Sequence, residues 1–219
     1  MSLVGKNILV TAGPTWTAVD RVRVLTSVFS GETGLRIARA FKEQGCKVTL
    51  FMGPGRAKFQ TSDWTEMNVQ QFFYYDDLDQ LLKTTDLTQF DAILHSSAVS
   101  DFKSDDVYQG KKSSKDGFNI PLVPTEKLVD KIRLATPESF LVKFKLQVGL
   151  SRKELHDIAL NSLKASSAEL IVANNLDEMD GEAHQTYIID PAGESIPAST
   201  KTDLCSELIS QVNSGLKSK

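Results

Sequence analysis

The sequence is short of several things, and each shortage removes a class of protein. It has two cysteines, Cys46 and Cys205, far apart in apolar surroundings. No CxxC pair and no His/Cys spacing suits zinc. Both cysteines therefore read as buried small hydrophobes. No apolar run approaches the ~18 residues of a membrane span. Residues 1–6 lead straight into a strand pattern without the apolar core of a signal peptide, so a cytoplasmic protein is expected. There is no basic excess either: the formal net charge is -3, which counts against a groove that tracks nucleic acid. Neither GxGxxG nor GxxxxGK[ST] occurs. No internal repeat, linker or low-complexity segment divides the chain.

What is present is an ordinary globular composition: 219 residues, 41% hydrophobic and 24% charged, enough for one large domain over 1–219 with a full core. Short β-branched runs alternate with helical periodicity. Residues 7–12 read as a buried strand bounded by Gly13-Pro14, and 15–30 as a polar stretch. A helix is expected over 33–44, ended by Gly45, and a strand over 47–52. The alternation continues with strand 69–75, helix 76–85, strand 90–95, helix from a Thr125 cap to about 135, strand 140–146, helix 151–166 and strand 169–174. A terminal hairpin from 184 turns at 191–193, and a helix over 201–212 closes the chain. The segment 100–119 is long and polar, which marks a mobile functional loop of about 101–118. The expected fold is α/β, Rossmann-like and doubly wound, with a mainly parallel sheet and a C-terminal hairpin. In such sheets ligands bind beyond the carboxyl ends of the strands, where strand order reverses. Four places qualify: 12–30, 53–56, 96–115 and 174–177.

Each place holds chemistry beside a plainer alternative. The turn Gly13-Pro14-Thr15 and the loop Ser30-Gly31-Glu32-Thr33-Gly34 could bring backbone N–H groups and a helix N-terminus to a phosphate. They could equally be a simple strand-to-helix connection. Asp20 and Arg23 could form part of an anion clamp or an exposed ion pair. Ser97-Ala98 leave room at a strand end, and Asp101 could hold magnesium or a ribose hydroxyl or simply cap a turn. Lys111 lies in a three-lysine loop that could close on a phosphate-bearing intermediate or stay solvated. Phe144 sits between Lys143 and Lys145, which strand alternation puts on one face; a core aromatic between solvent-facing lysines is the alternative. His95, His156 and His184 share no spacing and read as surface or satisfied core residues.

In combination these pieces are specific. The order ILVTAGPT, DxVR, SGxxG, SAVSD, KxSS, a Phe-bearing strand and ELIVANN runs from Lys6 to about Val212. It resembles the phosphopantothenate–cysteine ligase family, the synthetase domain of the bacterial coenzyme A biosynthesis flavoproteins, here in a stand-alone form. The resemblance implies a homodimer that uses CTP, or ATP, with Mg2+ to activate 4′-phosphopantothenate as an acyl-nucleotide, which cysteine then captures. No flavin is expected, and a separate decarboxylase is an expected partner. It implies nucleotide contacts for Gly13, Pro14, Thr15, Ser97, Ala98, Asp101, Phe144 and Asn174. It implies substrate contacts for Asp20, Arg23, Ser30 and Gly31, and catalytic roles for Lys111, Ser27 and Arg23. Gly34 and Lys201 also match. Ser27 stands where the family carries an asparagine that would hold the intermediate's carbonyl. Arg21 replaces a proline, Asn175 an aspartate, and Ser166 a lysine. A binding paralogue with weak catalysis is therefore a second reading, and an NAD(P)-dependent oxidoreductase a third.

Overall fold

The computed structural model describes residues 2–113, 117–180 and 183–217. The chain opens with β1 (Asn7–Ala12), buried from Ile8 onward. The expected polar stretch then contains a small hairpin, β2 (Trp16–Ala18) and β3 (Val24–Thr26). Next come α1 (Glu32–Glu43), β4 (Lys47–Met52), the short α2 (Thr61–Glu66), β5 (Asn68–Gln71) and α3 (Tyr75–Thr84). After β6 (Ala92–His95), β7 (Phe102–Ser104) falls within the segment expected to be a loop and pairs with β8 (Leu122–Pro124), just beyond it, as a second small ribbon. The chain continues through α4 (Leu128–Ala135), β9 (Phe140–Gln147), α5 (Arg152–Ala165), β10 (Leu170–Asp180), β11 (Ala183–Ile189), β12 (Ser195–Thr200) and α6 (Lys201–Gly215).

Among the described residues the main sheet has eight strands in the order β12-β11-β10-β9-β6-β1-β4-β5. The strands from β10 through β5 pair in parallel; β11 and β12 add antiparallel at one edge. Period-2 alternation sends Ile8, Val10 and Ala12 to a core shared with α1 and α6, and Leu9 to a second core shared with α3, α4 and α5. The sheet is thus covered on both faces, as its continuous apolar strands require. Strand order reverses between β1 and β6, so the crevice lies above Gly13 and Ser96.

Several expected boundaries shift for local reasons. The strand placed at 69–75 ends at Gln71, because the Asp77 carboxylate accepts from the N–H groups of Phe73 and Tyr74 and starts α3 there. Thr125 does not cap α4. Its hydroxyl donates to the Ser100 carbonyl at 2.8 Å, and Lys127 holds the cap position. The strand from 169 continues to Asp180, past a register shift after Asn174. Part of the expected mobile loop, 114–116, lies outside the described residues.

Candidate functional site

Close backbone approach builds the mouth of the crevice. Gly13 has φ +80°, and a Cβ there would come within 2.9 Å of the Gly53 carbonyl oxygen. Gly31 caps α1 at φ +82° with no side-chain cap. At Gly34 a Cβ would meet the Ala12 Cβ at 2.4 Å, so glycine lets α1 lie directly on β1. The helix N-terminus therefore points into the crevice, and the Glu32 N–H is taken by Ser30 Oγ. Around the rim, Ser96 N donates to the Thr11 carbonyl and Ala98 N to the Gly13 carbonyl, which fixes the end of β6 beside the first turn.

Two cavities open here. The first, about 500 Å³, runs from Gly13, Ser30, Gly31 and Gly34 past Ser97 and Ala98 to Phe144, Asn174, His184 and Lys201. The second, about 470 Å³, is bounded by Thr15, Ser27, Val99, Asp101, Leu122 and Lys145. Phe29, Ser97, Ala98, Phe144 and Leu146 line both. One wall thus separates a space beside glycine loops from a space that holds Ser27 and a lysine. A third hollow of about 400 Å³, between α5 and the β11–β12 edge, has no glycine loop opening on it.

Most sequence-predicted residues meet at these cavities, but not all. Pro14 is buried and bridges Ala98 without lining either space. Thr15 accepts from the Ser100 N–H at 2.8 Å. Asp101 faces the second cavity and pairs with Lys127. Asn174 lines the first, and among the described residues its side chain donates only to the Met179 sulfur, at 3.2 Å. Asn175 is turned away: it takes the Gly149 N–H and donates to the Leu150 carbonyl, fastening the turn into α5.

Asp20 and Arg23 lie outside both cavities and form a knot. The buried Asp20 carboxylate accepts from the N–H groups of Val22, Arg23 and Lys112 and from the Arg23 guanidinium. These bonds, Arg23 foremost, hold its carboxyl well below the usual carboxylate range. Arg23 Nη2 also donates to the Lys112 carbonyl at 3.0 Å, and its guanidinium lies 5.3 Å from the Phe118 ring centre. An exposed ion pair is therefore the wrong picture: the pair anchors the lysine segment to the β2–β3 hairpin. Within that segment Lys111 is exposed outside both cavities, whereas Lys112 lies over the Tyr108 and Phe118 rings.

Four further residues escaped the sequence reading. Arg56, on the loop after β4, lines the first cavity and has no ion pair among the described residues. Its position within 53–56 was the available signal. Lys143 and Lys145 are not both solvent-facing. Lys143 Nζ donates to the Ser162 carbonyl and to Ser166 Oγ under α5, and burial lowers its pKa, while Lys145 lines the second cavity. His184 is not a satisfied core histidine. It is buried in the wall of the first cavity, and its Nδ1 has no hydrogen-bond partner among the described residues. Burial, with Lys201 nearby, pushes it down to about 4.

Fold and cavities together define a doubly wound α/β protein with two adjoining cavities at its switch point. The chain belongs to the DNA/pantothenate metabolism flavoprotein C-terminal domain family, whose model matches residues 3–216. It is 29% identical over 212 residues to the coenzyme A biosynthesis bifunctional protein CoaBC of Thermococcus kodakarensis, covering 96% of this chain and 52% of that protein. The Bacillus subtilis CoaBC is 27% identical over 225 residues, again across 52% of its length. The chain thus spans about half the length of these relatives. A crystal structure of the DNA/pantothenate metabolism flavoprotein from Streptococcus pneumoniae superimposes with a TM-score of 0.82 at 24% identity, covering 96% of this chain and 99% of that one. A Cab2 variant solved with phosphopantothenate-cysteine has a TM-score of 0.76 at 15% identity, covering 95% and 87%. At these identities the structural likeness speaks for the fold.

Proposed function

We propose that the chain is a phosphopantothenate–cysteine ligase. The observation that carries this reading is the pair of adjoining cavities with a common wall at Phe29, Ser97 and Phe144. A reaction that joins an acid to a nucleotide and then to an amine needs such an arrangement, because the acid must meet the α-phosphate across a short gap.

In this reading a nucleoside triphosphate, CTP or ATP, lies in the first cavity with its phosphates toward Gly13, Ser30, Gly31 and the N-terminus of α1. Arg56 adds positive charge there. 4′-Phosphopantothenate lies in the second, where Lys145 offers a cation. The carboxylate attacks the α-phosphorus, pyrophosphate leaves, and an acyl-nucleotide remains. The cysteine amine then attacks the acyl carbon and loses a proton, and the nucleoside monophosphate departs. Ser27, which lines the second cavity, donates a hydrogen bond to the acyl oxygen in this reading, and Lys111 is the residue of the anchored segment assigned to developing phosphate charge. Arg23 and Asp20 act by holding that segment. Mg2+ would neutralise phosphate charge. In this reading the ion is held mainly through the nucleotide's phosphates. Among the described residues no helix is long and apolar enough to cross a membrane. The reading extends to a homodimer, and to a decarboxylase supplied by a partner or by further sequence, as the bifunctional relatives suggest.

The test is pyrophosphate release with 4′-phosphopantothenate, cysteine, Mg2+ and CTP or ATP. Release above a Lys111→Ala control is expected, with the amide product and one nucleoside monophosphate per turnover. No release above that control overturns the ligase reading. Nucleotide binding without turnover would then point to the binding paralogue.

A further inference from the structure

The far end of the first cavity holds hydrogen-bonding groups that the fold itself leaves without good partners. Along the sheet, β1 and β11 are four strand spacings apart. At about 4.8 Å each, that is about 19 Å, a length an extended nucleotide spans. The α1 N-terminus and Arg56 stand at the β1 end. At the β11 end the walls are largely apolar, from Phe144, Leu146, Leu176 and Met179, and polar side chains interrupt them, Asn174 and His184 among them. Among the described residues Asn174 gives its amide N–H only to the Met179 thioether, a weak acceptor that a ligand can replace. His184 is 4% exposed, and its enclosed Nδ1 has no partner among the described residues. A buried ring nitrogen left unpaired is a cost to the fold that a hydrogen-bonding ligand removes.

Local topology explains how His184 reaches this place. The β10–β11 register breaks after Asn174 and resumes at Met179 opposite His184. The bulged arm carries His184 back over the carboxyl end of the sheet, on the face shared with α1 and α6. Thr186, two residues on, is satisfied by the Ala198 carbonyl, so the unpaired state belongs to His184 and not to the whole strand. Asp180 and Lys201 line the same end with opposite charges, which favours a neutral polar ligand group over phosphate there. Burial and Lys201 keep the imidazole uncharged near neutral pH, so it can both donate and accept.

We propose that His184 determines base specificity, hydrogen-bonding the base of a nucleotide whose phosphates lie at the α1 end. The proposal rests on the reading of the first cavity as a nucleotide site. It is tested by titrating the wild type and His184→Ala calorimetrically with CTP, ATP, UTP and GTP, and with inorganic tripolyphosphate as a base-free probe. The wild type should prefer one base. His184→Ala should lose at least tenfold in affinity for that nucleotide and flatten the ranking, with tripolyphosphate affinity unchanged. A second measurement uses unaltered protein: the His184 ring-nitrogen NMR signals should shift on adding the preferred nucleotide and not on adding tripolyphosphate. An unchanged ranking in the variant, or a parallel loss for tripolyphosphate, overturns the role of His184 while leaving the nucleotide site standing. Failure of the wild type to bind any of the four nucleotides overturns both.

Discussion

Ser27 lines the second cavity on the loop that continues through Phe29 into the shared wall. A hydroxyl is shorter than the amide of the family asparagine but offers a donor in the same region. Removing one donor to a developing oxyanion costs about 3–4 kcal/mol, roughly a hundred- to a thousand-fold in rate. Ser27→Ala should therefore lower kcat by about that factor with little change in KM, as measured by pyrophosphate release. Ser27→Asn should keep activity. Asn175 tells the opposite story, since its amide serves the turn at Gly149 and Leu150 and faces neither cavity. The departure that the resemblance marks at this position therefore falls on a structural fastening, a distinction that motif order could not make.

At the scale of elements, the site depends on how α1 sits on β1 and how the lysine segment is tied down. Gly34→Ala would drive a methyl into Ala12. Overpacking of this kind costs about 1–3 kcal/mol, so Tm should fall by about 2–10 °C in a thermal melt. Asp20→Ala would orphan three backbone N–H groups and take from the Arg23 guanidinium its carboxylate partner. Limited proteolysis should then cut near Gly110–Lys112 much faster than in the wild type, and ligase turnover should drop with the segment released. The large strands and helices were legible in sequence because their apolar periodicity is strong: β1 and β4 fall at the expected residues, and α1, α5 and α6 within a few. The hairpins β2–β3 and β7–β8 were not legible. Each strand is three residues long, too short to show a period, and is held by pairing and by side-chain bonds such as that of Thr17 Oγ1 to the Phe102 carbonyl.

Over the whole molecule, acid should act through the histidines first. His95 is pushed down to about 4 by burial and by Lys143, and His184 to about 4 by burial and Lys201. In the unfolded chain both return to about 6.5. Between these values the unfolded state binds protons that the folded state refuses, so stability falls as pH falls from about 6.5 toward 4. Each proton contributes up to about 1.4 kcal/mol per pH unit, and two give a slope of about 2–3 kcal/mol per unit. Denaturant melts across pH 7 to 4 should show this slope, and the double variant His95→Gln with His184→Gln should flatten it. Carboxylates lowered by partners, such as Asp63 against Arg39 and Asp79 against Lys83 and Lys131, lose their stabilisation lower still, as pH falls below the usual carboxylate range.

The sequence by itself determined the doubly wound sheet, the glycine loops and the family, because apolar period and motif order are local properties written along the chain. Only the tertiary structure decided which residues share a space. It took Asp20 and Arg23 out of the cavities and into a knot, separated Lys143 from Lys145, and set His184 unpaired in the cavity wall. These outcomes depend on neighbours up to ninety residues away in sequence. Burial and partnership are properties of the packed molecule, and no spacing along the chain encodes them.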